Sequence, residues 1–141
     1  MSDLKPAAAG YYFPAEFALH TATWLSWPHN PDTWPGKIDT IYPSYAQFIK
    51  ILTAGEYVHI NVAGEKMERS AREILMQHDV PMDRVKFFHH PTNDAWCRDH
   101  GPAFLINPDS RQPKVIVDWG HNAWGGKYPP FDLDDVIPTL I

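Results

Sequence analysis

Scarcity sets the first limits. Cys97 is the only cysteine, so no internal disulfide can form, and a reducing, cytoplasmic setting is the simplest expectation. Twelve Lys and Arg stand against 17 Asp and Glu, a net charge of −5. The basic surplus that phosphate neutralisation requires is missing, which excludes a general nucleic-acid binder. No apolar run approaches the length needed to cross a bilayer, so no membrane partner is expected. The start, Met1-Ser2-Asp3-Leu4-Lys5-Pro6, lacks the charged-then-apolar pattern of a signal peptide. Polar low complexity is lacking too: 44% hydrophobic and 21% charged residues form an ordinary globular mixture.

What the chain does have is proline and tryptophan. Its 141 residues suit one compact domain or a piece of a larger one, and they include 14 Pro and six Trp. Many prolines fix many turns, and many indoles supply flat surfaces that must be packed or used for stacking.

Periodicity divides the chain into small α/β units. Thr21 to Trp27 reads as a strand stopped by Pro28, and His29 to Lys37, with Pro31, Pro35 and Gly36, reads as a loop. A helix follows, capped by Asp39 or Thr40, with Pro43 in its first turn and Ile41, Tyr45, Phe48, Ile49 and Leu52 at helical spacing up to Gly55. Tyr57 to Val62 alternates as a strand. Past Gly64 a second amphipathic helix carries Met67, Ala71, Ile74, Leu75 and His78 on one side, and Val85 to His89 forms another strand. Pro91 to Pro102 is a long irregular connection. Ala103 to Ile106 and Lys114 to Trp119 form a hairpin about Asn107-Pro108-Asp109-Ser110, Gly120 to Pro130 is loop, and a new segment starts near Asp134. Asp134 to Ile141 does not read as a polar terminus, so residues 1–141 are expected to be the N-terminal part of a single, longer domain.

Chemistry concentrates in Asn93-Asp94-Ala95-Trp96-Cys97-Arg98-Asp99-His100-Gly101-Pro102. Ten residues hold two carboxylates, a guanidinium, an imidazole, an indole and a thiol, on a loop where a scaffold places working groups. A planar cation needs a carboxylate to take its paired N–H groups side-on and a flat wall to restrict its orientation. Asp99 and Trp96 can supply these. Arg98 would repel a cationic ligand and suits loop support better; for an isolated Arg-Asp dipeptide, an ion pair between Arg98 and a loop aspartate is the default reading.

This decapeptide resembles the N-D-x-W-x-R-D-x-G-P signature of agmatine deiminases and the related bacterial peptidylarginine deiminases. Two further blocks agree: Phe13-Pro14-Ala15-Glu16 through Thr23-Trp24-Leu25-Ser26-Trp27-Pro28, and Asn122-Ala123-Trp124-Gly125-Gly126-Lys127-Tyr128-Pro129-Pro130-Phe131. The resemblance implies an α/β fold that is part of a five-bladed propeller of ββαβ-type units. It implies a hydrolase acting on linear amidine C–N bonds, converting agmatine to N-carbamoylputrescine and ammonia with no metal and no cofactor, as in putrescine and polyamine metabolism. In such enzymes a cysteine thiolate attacks the guanidinium carbon, acidic residues grip the nitrogens and a histidine moves protons. Carried over by position, Asp99 is the catalytic, guanidinium-binding aspartate and Trp96 lines the pocket. Asp94 orients the loop or meets the substrate's far amine, while Arg98, Gly101 and Pro102 support the loop. The nucleophile, the histidine and the second aspartate of the family have no counterpart in these 141 residues, so the fragment alone should be inactive. Peptidylarginine or arginine as substrate and a non-catalytic guanidine-binding module are the alternatives. Kinship with arginine-modifying propellers, which can be dimeric, leaves a homo-oligomer open.

Cys97 sits at the variable position between Trp96 and Arg98, so it is read as a filler thiol and not as the nucleophile. His89, His90, His100, Asp94 and Asp99 are metal-ligating types without a ligand spacing. His59 and His78, within a strand and a helix, are read as packing residues, and so are Trp24, Trp27 and Trp34. Gly125-Gly126 lacks the GK[ST] ending of a phosphate loop.

Overall fold

The structure, a computed structural model, describes residues 5–141. Its scaffold is a three-stranded parallel sheet in the order β1 (Ala22–Ser26), β2 (Tyr57–Asn61), β3 (Val85–Phe88). Helices α1 (Ile38–Leu52) and α2 (Glu65–Gln77) make the two crossovers, as parallel neighbours require. Register pairs Trp24 with His59 and Leu25 with Ile60, then Ile60 with Phe87. Alternation along β2 sends Val58 and Ile60 into a core with Leu25, Ala46, Ile49, Ala71, Leu75 and Val85, while His59 lies on the other face against Trp24 and Phe88.

Three local expectations change. Helix α1 starts at Ile38 with Lys37 at its N-cap and no side-chain cap, so Asp39 and Thr40 lie inside it, and it ends at Leu52, before Gly55. Pro43 therefore sits past the first turn, where the amide it lacks would have bonded the Asp39 carbonyl; Asp39 and Pro43 are both exposed, so that carbonyl is open to solvent. His78 is the C-cap of α2 and not part of its packing face. Finally, Pro91–Pro102 is not wholly irregular: it contains the one-turn helix α3 (Cys97–His100).

Beyond the sheet, β4 (Ala103–Ile106) and β5 (Lys114–Val117) form the expected antiparallel hairpin, and Tyr12 bridges to Ile106 at its edge. Single turns follow: α4 (Ala123–Gly126), a left-handed turn within the stretch expected to be loop, then the one-turn helices α5 (Asp132–Asp135) and α6 (Ile137–Leu140). The architecture is mixed α/β. Among the described residues no helix is long and apolar enough to cross a membrane.

Candidate functional site

The decapeptide loop forms no sheet ladder, so side chains from every direction must hold it. At its entrance His29 bridges two carbonyls, with Nδ1 2.8 Å from that of Trp27 and Nε2 3.1 Å from that of Thr92. The Asn93 and Asp94 amides donate to Asp134 Oδ1 at 2.8 and 3.3 Å. Asp94 takes the Ala95 amide on Oδ1 at 2.7 Å and the Thr33 hydroxyl on Oδ2. Asn93 and Thr33 were not singled out in the sequence, and Asp134 was noted only as the start of a segment.

Cys97 faces the scaffold. Its thiol donates to the Trp24 carbonyl at 3.3 Å, and burial raises its pKa above the ordinary thiol value. A nucleophilic cysteine needs the opposite shift, toward the thiolate. Arg98 turns away from the cavity and pairs with Glu16, so the ion pair with a loop aspartate is not what forms. Both side chains of the Arg98–Glu16 pair are largely exposed, so it fastens the loop to the N-terminal segment weakly. Gly101 ends α3 with its amide on the Cys97 carbonyl, and a Cβ there would lie 2.4 Å from that oxygen. Its backbone is already extended (φ −73°, ψ 157°), the conformation that Pro102 demands of its predecessor.

With the loop so held, Trp96 and Asp99 project into a cavity of about 720 Å³. Trp34 stacks behind Trp96 at 5.8 Å and 27°, stiffening the wall. A second wall comes from the segment after β5: His121, Trp124 and Tyr128, with the His121 and Trp124 rings edge to face at 5.4 Å. This wall is built on strained backbone. Ala123 and Trp124 have φ of 48° and 55°, left-handed values uncommon outside glycine, and the Gly125 amide donates to Asn122 Oδ1 at 2.9 Å. Asp32, Asp94, Asp99 and Asp134 line the cavity against a single lysine, Lys127, an excess that favours a cation. Of these carboxylates, Asp32 and Asp99 are exposed and take no hydrogen bond among the described residues, whereas Asp94 and Asp134 already hold backbone; of the two free ones, Asp99 shares its turn with Trp96.

His100 is 1% exposed, its ring edge to face with that of His121 at 6.2 Å and neither ring nitrogen hydrogen-bonded among the described residues. Burial lowers its pKa, opposed by the Asp134 carboxylate. His89 and His90 are taken up elsewhere, by Glu68 at 2.7 Å and by Asn61 at 3.2 Å. The cavity thus joins Asp94, Trp96 and Asp99, and leaves Arg98, Cys97, His89 and His90 outside it.

Comparison with known proteins gives the family. The family model described as Porphyromonas-type peptidyl-arginine deiminase matches residues 12–141. The agmatine deiminase of Stutzerimonas stutzeri (strain A1501) is 36% identical over 140 residues, which is 96% of this chain and 36% of that protein. Among solved structures, a cysteine-to-serine variant of the C. jejuni agmatine deiminase with substrate bound superposes with a TM-score of 0.74 at 25% identity, over 92% of this chain and 35% of that one. Another C. jejuni agmatine deiminase structure, at 22% identity, supports the fold alone with a TM-score of 0.69, over 92% of this chain and 34% of that one. The chain spans about a third of the length of these relatives. Matched over almost its whole length, it belongs to the Porphyromonas-type peptidyl-arginine deiminase family.

Proposed function

We propose that the whole protein hydrolyses the guanidine group of a small cationic substrate, agmatine first, to a ureido product and ammonia, and that this chain supplies one wall and one carboxylate of the site. The observation that carries the reading is the Asp99 carboxylate, free of hydrogen bonds among the described residues and set beside the stacked Trp96–Trp34 indoles in an acidic cavity. A carboxylate takes two guanidinium N–H groups at once, and an indole face attracts a planar cation, so the pair fixes both position and plane. Asp94 is engaged with Thr33 and Ala95 and has lone pairs left for the substrate. Gly101, Pro102 and Arg98 hold the loop in place.

The chemistry follows the family resemblance. A thiolate attacks the guanidinium carbon and ammonia leaves, giving a cysteine-linked amidino intermediate; water then attacks and frees N-carbamoylputrescine. Splitting the hydrolysis in this way replaces one difficult step with two easier ones. The raised pKa and backbone contact of Cys97 argue that the nucleophile lies outside this sequence, together with the proton-transferring histidine and second carboxylate. A five-bladed propeller, of which this chain would form the first part, is the architecture that would bring those groups to Asp99.

The test is release of ammonia from agmatine, arginine and a peptidylarginine by the whole protein. Agmatine turnover well above the other two supports the reading. Preference for the peptide would transfer the assignment to peptidylarginine, and no turnover of any of them would leave a guanidine-binding module.

A further inference from the structure

The two walls of the cavity lie on loops separated in sequence by the β4–β5 hairpin, and one short turn touches both. Asn93 Oδ1 accepts the Leu133 and Asp134 amides at 2.8 and 3.2 Å. Asp134 Oδ1 accepts the Asn93 and Asp94 amides in return. The pairing is reciprocal: each side chain satisfies two backbone donors of the other's segment. The next residue, Asp135, reaches the second wall, where its Oδ1 accepts the His121 amide at 2.5 Å. Asp134 is 4% exposed, so its bonds form out of water, where an amide left without a partner is costly.

We propose that residues 132–135 act as a clip that sets the spacing of the two cavity walls, with Asn93, Asp134 and Asp135 as positioning residues. Asp134 and Asn93 hold the loop that carries Asp94, Trp96 and Asp99. Asp135 holds the segment that carries His121 and Trp124. What the clip requires of each side chain is an acceptor oxygen at a fixed place, so an amide can replace either carboxylate. The clip itself rests on hydrogen bonds alone; its consequence for turnover rests on the guanidine-hydrolase reading.

Amide hydrogen exchange tests the clip in the whole protein, free of substrate. Asp134→Ala should speed exchange at Asn93 and Asp94 while leaving His121 unchanged, and Asp135→Ala should do the reverse. Asp134→Asn and Asp135→Asn should both restore slow exchange. With agmatine, Asp134→Ala should lower kcat/KM by about tenfold, the equivalent of one to two lost hydrogen bonds, and Asp134→Asn, which keeps the acceptor oxygen but removes one of the cavity's carboxylates, should recover most of that loss. Unchanged exchange at 93–94 in Asp134→Ala, or exchange that rises across the whole chain in both alanine variants, overturns the clip. So does an asparagine variant as impaired as its alanine counterpart, because that would assign the effect to charge. If the unmodified protein does not turn over agmatine, the guanidine-hydrolase reading fails by itself, and the exchange pattern still decides for or against the clip.

Discussion

Between Ala22 and Phe88 the chain is held by apolar burial: Ile49, Val58, Ile60 and Leu75 are wholly enclosed between one sheet face and two helices. Between Pro91 and Asp135 the enclosed residues are of another kind. Ala123 is buried, but beside it stand Thr92, His100 and Asp134, polar groups fixed by directional bonds or left without them. Apolar burial grows with area and tolerates small shifts, whereas a hydrogen bond fails outside a narrow range of distance and angle. The first region can therefore be stable without being exact, and the second can place Asp99 to a fraction of an ångström only while each tether holds. This division gives the two halves different failure modes, and substitutions can separate them.

The largest effect is expected at Asp99. Asp99→Ala in the whole protein should lower kcat/KM for agmatine by about 10³-fold, or ~4 kcal/mol, as for a truncated partner of a desolvated charge pair. Its melting temperature should not fall, because the carboxylate makes no hydrogen bond among the described residues. Unchanged turnover would remove Asp99 from the site and, with it, the functional half of the contrast.

Leu75→Ala probes the other half. It deletes a fully buried side chain from the α2–sheet contact and should cost about 3 kcal/mol in denaturant unfolding, with kcat per folded molecule preserved. A loss below about 1 kcal/mol would mean that this core collapses around the gap and is less closely packed than its burial indicates.

Gly101→Ala lies at the boundary between the two regimes. Its new Cβ would meet the Cys97 carbonyl at 2.4 Å, a backbone atom that cannot rotate away. The expected cost is about 2 kcal/mol of stability, with a fall in turnover as α3 shifts and carries Asp99 with it. Loss of stability with full activity would show that the loop accommodates the methyl without moving the carboxylate.

The same contrast explains what could be read from the sequence. Elements of the sheet half followed from period alone: Val58 and Ile60 alternate along β2, and Ala71 and Leu75 fall on one side of α2. The start of α1 was missed because Asp39 and Thr40 are good capping residues that here lie within the first turn, while Lys37 caps without a side-chain bond. Trp96 and Asp99 were found through local density and the family signature. Their supports were not. Asn93 meets Asp134 across 41 residues and Arg98 meets Glu16 across 82, and no pattern of local spacing links partners so distant. The wall at Trp124 carried one signal, the Asn122-Ala123-Trp124-Gly125-Gly126 block, but the left-handed turn that exposes the indole belongs to Ala123 and Trp124 and not to the glycines alone.

The smallest effect concerns His100, and it sharpens the contrast because this residue is buried in the polar half without a hydrogen-bond partner. Burial lowers its pKa below the ordinary 6.5, with His121 adding to the shift and with Asp134 and Asp99 opposing it. The unfolded chain, protonating near 6.5, then binds a proton that the folded chain refuses. The stabilising contribution is complete above 6.5, and it is lost as the pH falls below that value and through the lower folded pKa. Burial lowers the pKa of His59 and His90 too, so all three push in the same direction. Denaturation midpoints measured from pH 8 down to pH 5 should therefore decline, and His100→Gln should decline less steeply while keeping the shallower slope that His59 and His90 impose. An identical slope in the variant would mean that Asp134, 41 residues from the asparagine it clasps, already offsets the burial of His100 in full, and that the clip carboxylate serves as its counter-charge as well as an acceptor for the loop.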